Sequence, residues 1–165
     1  MFFTGFQTWI GQVDVKLSPV YFYVQRGGDF NGTDTPIPFD VERLNVGGAM
    51  DLASGKFTAP REGIYSLSFT GFAFIPASSS RVVLDVYMYL NGNVIGSGSA
   101  DEAGTANQFE TTSFQMTLNL QKGDQIWFEI WQLSSGVYLR GIFGTHFSGY
   151  LLEENLSQSL NVKAA

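Results

Sequence analysis

The chain has 165 residues, 15 acidic and 9 basic, and a formal net charge of −6. That acidity argues against a partner built on a phosphate backbone, so no nucleic-acid binding is predicted. Because no run of about 18 apolar residues occurs and cysteine is absent, the sequence predicts no membrane insertion, no disulfide and no thiol chemistry.

The predicted strands follow an N-terminal arm, residues 1–17. The longest, Ile64 to Ile75, has steadily apolar odd positions and even positions that are polar in the middle and aromatic at one end. This pattern is typical of a sandwich strand whose outer face has a second contact. Asn91-Gly92 directly follows the alternating strand Val82 to Leu90 and predicts a two-residue hairpin. About ten strands are predicted: 20–24, 36–38, 56–59, 64–75, 82–90, 94–95, 109–120, 126–133, 137–139 and 146–152.

Segments dense in turn residues separate these strands, and the sequence shows no amphipathic helix. Such a pattern predicts an all-β sandwich or jelly roll over residues 18–154, followed by a polar tail, residues 155–165. Four segments are candidate ligand-binding loops: 26–35, 77–81, 96–107 and 134–138.

Three motifs resemble complement C1q globular-head domains. They are GKFTAPREGIY (55–65), LQKGDQIW (120–127) and HFSGYLL (146–152). Phe39-Asp40, Asn45 and the Asn91-Gly92 hairpin also fall where that family would place them. The resemblance covers about residues 18–154. It implies a ten-strand jelly roll, similar to tumour necrosis factor, that assembles as a trimer.

In trimers of that kind one sheet faces the three-fold axis. The resemblance implies that strands 20–24, 64–75, 109–120 and 146–152 form this sheet. Large aromatic residues on its outer face are natural at a subunit interface and costly on a monomer. The alternative is that they only fill the core. The candidate interface residues are Tyr21, Tyr23, Phe72, Phe74 and Tyr150.

Some heads in the family hold Ca²⁺ through acidic residues near the trimer apex. The resemblance implies Asp101, Glu102 and Glu110 as candidate ligands, with Glu where the family has Asp at the last two positions. Carboxylate oxygens suit Ca²⁺, which takes six to eight of them. The alternative is that all three are solvated loop charges. No cofactor is required, and Ca²⁺ is the candidate ion.

Catalysis finds little support in the sequence. His146 is the only histidine and belongs to the final-strand motif, and no Gly-x-Ser-x-Gly elbow occurs. We therefore predict no enzyme and no catalytic residue. Trp127, Glu129 and Trp131 share one side of a predicted strand. They form a sugar-stacking surface if exposed, whereas packing is the alternative.

Asn31-Gly32-Thr33 and Asn155-Leu156-Ser157 are N-glycosylation acceptor triplets, which agree with secretion. We expect a secreted, non-catalytic homotrimeric head whose loops bind a microbial surface, a receptor or a matrix protein, with innate-immune pattern recognition as the first biological role. Two alternatives stay open. One is a trimeric structural module of an extracellular matrix or coat, and the other is a lectin-like carbohydrate-binding head.

Overall fold

The structure, a computed structural model, describes residues 19–155 and contains no helix there, hence none that could span a membrane. The predicted arm, 1–17, and the tail after residue 155 lie outside the described residues. The strands are β1 (Tyr21–Gln25), β2 (Val41–Val46), β3 (Met50–Asp51), β4 (Lys56–Thr58), β5 (Gly63–Ile75), β6 (Ser78–Leu90), β7 (Asn93–Gly104), β8 (Gln108–Leu120), β9 (Gln125–Leu133), β10 (Tyr138–Leu139) and β11 (His146–Glu154).

These strands form two antiparallel sheets. Sheet 1 has the order β10-β5-β11-β1-β2, with β8 also paired to β5, and sheet 2 has the order β3-β4-β9-β6-β7. The predicted all-β sandwich is confirmed. The four strands that the resemblance assigned to one sheet, now β1, β5, β8 and β11, do lie together in sheet 1.

The core lies between the sheets and is rich in phenylalanine. Along β5 the odd positions are buried and the even positions half-buried, as the alternation predicted. Phe69 of β5 stacks on Phe128 of β9 with ring centroids 4.1 Å apart, and Phe128 meets Phe147 of β11 edge to face at 5.1 Å. Full burial of each such ring contributes roughly 1.5–3 kcal/mol to folding, so these three residues join the two sheets.

Close packing explains why the final motif has glycine at position 149. Gly149 pairs with Phe22 on one side and with Leu67 on the other. A Cβ at this position would lie 2.3 Å from Cδ2 of Leu67 and 2.9 Å from Cε1 of Phe22. The missing side chain of Gly149 therefore lets the last strand pass close to these neighbours.

Two predicted loops are mostly strand. Residues 96–107 were expected to be a polar loop, but β7 runs through Gly104 and pairs with β6 from Asn93 onward. The Gly, Ser and Ala residues of this segment have a loop-like composition, yet their backbone completes an edge strand. Residues 77–81 are likewise strand from Ser78. The predicted hairpin is confirmed, because Asn91 and Gly92 both have positive φ, 51° and 87°.

Sheet edges account for the other differences. The sequence analysis did not predict β2 or β3. β2 is an edge strand with charged side chains, which disrupt the apolar alternation and protect an edge from further pairing. The expected strand at 36–38 is not a named strand. Pro36 makes an isolated bridge to Glu129, and Ile37 donates its amide N–H to the carbonyl of Phe128 at 2.8 Å.

Candidate functional site

The outer face of sheet 1 carries the predicted interface residues. Tyr21 and Tyr150 are direct cross-strand partners, and they are 39% and 49% exposed. The row continues across the sheet to Ser66 of β5 and Thr117 of β8. Two large aromatic rings thus stand side by side, with small polar residues beyond them on β5 and β8 and with Val46 of β2 on the other side.

Phe72 and Phe74 lie on the same outer face, toward the other end of β5. Phe72 stacks on Phe109 with centroids 5.3 Å apart, and Phe74 stacks on Tyr138 at 4.9 Å. The guanidinium of Arg140 lies 4.9 Å from the centre of the exposed Phe109 ring. The sequence analysis missed Phe109 and Tyr138. Both are register partners of Phe74 in the sheet. Pairing the predicted strands with one another would have placed them beside Phe74.

Between these aromatic groups lies a polar centre on β1 and β11. The rings of Tyr23 and His146 meet edge to face, with centroids 5.7 Å apart. The hydroxyl of Tyr23 accepts a hydrogen bond from Nε2 of Gln25 at 2.9 Å. Within residues 19–155, Nδ1 of His146 is buried and has no hydrogen-bond partner. A buried polar atom left without a partner is costly, so Nδ1 of His146 would gain from a contact with a group outside residues 19–155.

The three candidate calcium ligands do not meet in one cluster. Asp101 points outward on β7, where Nε of Arg81 donates to its carboxylate at 2.6 Å. Glu102 and Glu110 are half-buried. Each lies two residues from a buried residue of its own strand, Ala100 and Thr112 respectively, and so is on the inward-facing side of that strand. Adjacent strand residues point to opposite faces, which separates Asp101 from Glu102. Over the described range no three His, Cys, Asp or Glu residues form a group that could hold a metal ion. Calcium binding stays a prediction.

The outer face of sheet 2 carries two stacked aromatic pairs. Trp127 stacks on Tyr89 with centroids 5.4 Å apart and planes at 5°, and Nζ of Lys56 lies 4.1 Å from the Trp127 ring centre. Trp127 is therefore only 8% exposed and is part of the packing, whereas Trp131 is 54% exposed. The indole nitrogen of Trp127 donates to Oε1 of Glu129 at 2.7 Å. Burial, with the nearby charge of Glu129, raises the pKa of Tyr89. Of the predicted sugar-stacking surface, Trp131 alone remains a candidate.

The loop after β1 is held by a buried arginine. Arg26 donates to the carbonyl of Gly28 at 3.1 Å, to that of Asp29 at 3.4 Å, and to that of Pro38. Burial lowers the pKa of Arg26, and the charges of Asp40 and Asp29 oppose that shift. These hydrogen bonds fix the conformation of the loop. Arg26, the basic residue of the loop, is buried and does not face solvent.

A second exposed turn was not singled out from the sequence. Ile142 and Phe143 are both exposed and both have positive φ, 47° and 67°. Their amide N–H groups donate to the carbonyls of Gly27 and Arg26 at 3.0 and 2.9 Å. Left-handed conformation is unfavourable for a β-branched residue. This turn holds two apolar side chains in solvent beside the loop after β1.

The two glycosylation candidates differ in setting. Asn31 is exposed in the loop after β1. The amide of Asn155 donates to Oε1 of Glu62 at 2.7 Å, and Ser157 of its triplet lies outside the described residues. Glycosylation at both positions stays a prediction.

The antiparallel sandwich, with a short hairpin at one end and the long connections at the other, defines a jelly-roll module. Residues 21–152 match the model of the C1q domain family. The chain belongs to this family, which is a recognition and structural fold rather than an enzyme fold. The resemblance inferred from the three motifs is thereby confirmed.

Known relatives are similar over most of this chain. Caprin-2 of Danio rerio is 33% identical over 138 residues, which are 82% of this chain and 14% of that protein. Complement C1q tumor necrosis factor-related protein 3 of Mus musculus is 29% identical over 142 residues, which are 82% of this chain and 52% of that protein. The chain thus spans about half or less of the length of these relatives.

A solved structure supports the fold. The globular domain of zebrafish complement 1qA protein superimposes with a TM-score of 0.58 and 21% identity, covering 82% of this chain and 99% of that one. At that identity the match concerns the fold alone.

Proposed function

We propose that the chain is the head of a secreted, homotrimeric C1q-like protein that recognises a ligand without catalysing a reaction. The observation that supports it most is the outer face of sheet 1. Exposed Tyr21 and Tyr150 lie on one side of a centre where Nδ1 of His146 is buried and unpartnered within the described residues. A monomer would expose the aromatic surface at a cost, whereas a trimer would bury it around the three-fold axis.

The ligand would meet the end of the sandwich opposite Val20 and Asn155, which lie near the two ends of the described range. Next to them, Leu151 donates its amide N–H to the carbonyl of Val20, and Asn155 donates to that of Glu62. The connections 26–40, 76–77, 105–107, 134–137 and 140–145 all lie at the opposite end, as the strand directions require. All four predicted loops contribute to this end, 26–35 and 134–138 with most of their length and 77–81 and 96–107 only with residue 77 and residues 105–107. The missed turn of Ile142 and Phe143 lies there too. We propose that it contacts a microbial surface, a receptor or a matrix protein.

Binding of fluorescently labelled chain to bacteria, yeast and extracellular matrix tests this function. We expect saturable binding to one of these targets, strengthened by the presence of three heads in one particle. Replacing Ile142 and Phe143 together by serine is expected to weaken it at least tenfold without changing the assembly. A trimer that binds none of the three targets would contradict recognition and would favour the alternative, a structural module of a matrix or coat.

Calcium is not required in this proposal. The support is that Asp101 is engaged by Arg81, while Glu102 and Glu110 alone offer too few oxygens for an ion that takes six to eight. Calorimetric titration with CaCl₂ tests the prediction of a site at these residues. Heat that disappears in the double variant Glu102→Gln and Glu110→Gln would place calcium there, and no heat would exclude that site.

A further inference from the structure

A shallow pocket lies on the outer face of sheet 2, between β6 and the edge strand β7. Its volume is about 290 Å³. Its lining consists of one aromatic residue, one carboxylate and three small residues of the edge strand: Tyr87, Asp85, Ser97, Gly98 and Ser99. It is distinct from the aromatic face of sheet 1 and from the connections to which the proposed function assigns ligand binding.

The aromatic wall of this pocket is held in place. Trp131 of β9 stacks on Tyr87 with centroids 5.2 Å apart and planes at 7°. Trp131 approaches from the β9 side, so the other side of the Tyr87 ring is turned toward β7 and the pocket. Ser97 is the direct register partner of Tyr87. A small side chain opposite a large one leaves open space beside the ring.

The polar groups of the pocket are oxygens. Oγ of Ser99 donates to Oδ1 of Asp85 at 2.6 Å, which fixes the carboxylate and leaves its second oxygen as an acceptor. The hydroxyl of Ser97 can donate or accept. Nearby, Arg81 is paired with Asp101 and feels the charge of Asp85 as well, and both carboxylates raise its pKa. The cation of Arg81 therefore offsets part of the negative charge, and the pocket does not require a cationic ligand.

We propose that this pocket binds one neutral pyranose residue of a glycan. The C–H face of the sugar would lie on the Tyr87 ring, its hydroxyls would donate to Asp85, and Ser97 would complete the hydrogen bonding. An apolar ring face with hydroxyls around its edge matches one aromatic wall with a rim of oxygens. A shallow, open site gives weak affinity for a single head, so useful binding depends on several heads. The inference rests on the proposed recognition function and names a ligand class and its site.

Ligand-observed saturation-transfer NMR tests the site, with methyl α-mannoside, methyl β-glucoside, methyl β-galactoside and N-acetylglucosamine as probes. We expect at least one of them to receive saturation, mainly on the protons of one ring face. Asp85→Asn removes the charged acceptor, and Ser97→Leu fills the space beside Tyr87. Each is expected to reduce the signal at least fivefold. Glu42→Gln is the matched control, since it removes an exposed carboxylate from the edge strand β2 of the other sheet, and it should bind as the parent does.

The outcomes separate this inference from the proposed function. No saturation of any probe, or saturation that Asp85→Asn and Ser97→Leu leave unchanged, overturns the sugar site. Binding of choline or oligolysine in place of the sugars, lost in Asp85→Asn, overturns it in favour of a cation site. If the chain binds bacteria, yeast or matrix while the two variants do so equally well, the sugar site fails and the proposed function stands. Circular dichroism confirms that each variant is folded.

Discussion

At the scale of single residues, Arg26 shows how far a side chain's role can differ from its place in the sequence. The sequence analysis made it the first residue of a loop dense in turn residues. In the structure it is buried and donates to three backbone carbonyls of that loop. The composition of the loop does not show that Arg26 holds it together, because every residue has a backbone carbonyl and the sequence does not indicate which of them accept hydrogen bonds. The same is true of the positive φ angles at Ile142 and Phe143.

We predict that Arg26→Met destabilises the fold by about 2–4 kcal/mol, because buried carbonyls lose their donor while the apolar stem is kept. Urea unfolding at one fixed protein concentration measures the effect. Arg81→Met is the control. Its ion pair with Asp101 is exposed, so its loss should leave the stability close to that of the parent. Equal stability of the two variants would show that Arg26 does not organise the loop.

At the scale of elements, the long strands were predictable and the edges were not. β5, β8 and β9 have clear alternation over many residues. Tight turns also mark strand ends, at Asn91-Gly92 between β6 and β7 and at Lys122-Gly123 between β8 and β9. From Gly96 onward β7 has small and polar side chains on both faces, so the hydrophobic pattern predicted only its start at 94–95. Its strand conformation comes from pairing with β6, which is a tertiary effect.

Glycines in strands give the sharpest test at this scale. Gly149→Ala places a methyl group against Leu67 and Phe22, and we predict a loss of about 1–3 kcal/mol from overpacking. Gly96→Ala is the matched control, because its Cβ would meet Met88 and Phe114 at an ordinary 3.6 Å. Urea unfolding should therefore leave the control near the parent. A Gly149→Ala variant as stable as Gly96→Ala would refute the packing reason given for this glycine.

At the scale of the whole molecule, the two sheets have outer faces of different character. Sheet 1 carries three exposed aromatic residues, Tyr21, Tyr150 and Phe109, whereas the strands of sheet 2 expose Trp131 and bury Trp127 under Lys56. The sequence predicted the interface candidates because side chains alternate between the two faces of a strand. It did not distinguish the buried Trp127 from the exposed Trp131, because the side chain that covers Trp127, Lys56, comes from another strand. The calcium candidates had the same difficulty, since strand pairing turned Asp101 away from Glu102.

We predict that arginine at Tyr21 and Tyr150 together prevents assembly, because two desolvated charges would face their own copies across the axis. Trp131→Arg is the control, as it changes an exposed aromatic residue on the other sheet. Light scattering during size-exclusion chromatography should give the mass of one chain for the double variant and of three chains for the control. Assembly of the double variant into trimers would place the interface elsewhere.

The central claim is that the outer face of sheet 1 assembles three chains. The most direct measurement is light scattering on a size-exclusion column, with the parent chain diluted to about the micromolar range, in calcium and in chelator. We predict a mass of three chains in both buffers. A mass of three chains only with calcium would make the metal part of the assembly, contrary to the role given to it here. A mass of one chain in both buffers would contradict the claim and leave Tyr21 and Tyr150 free to contact a ligand directly.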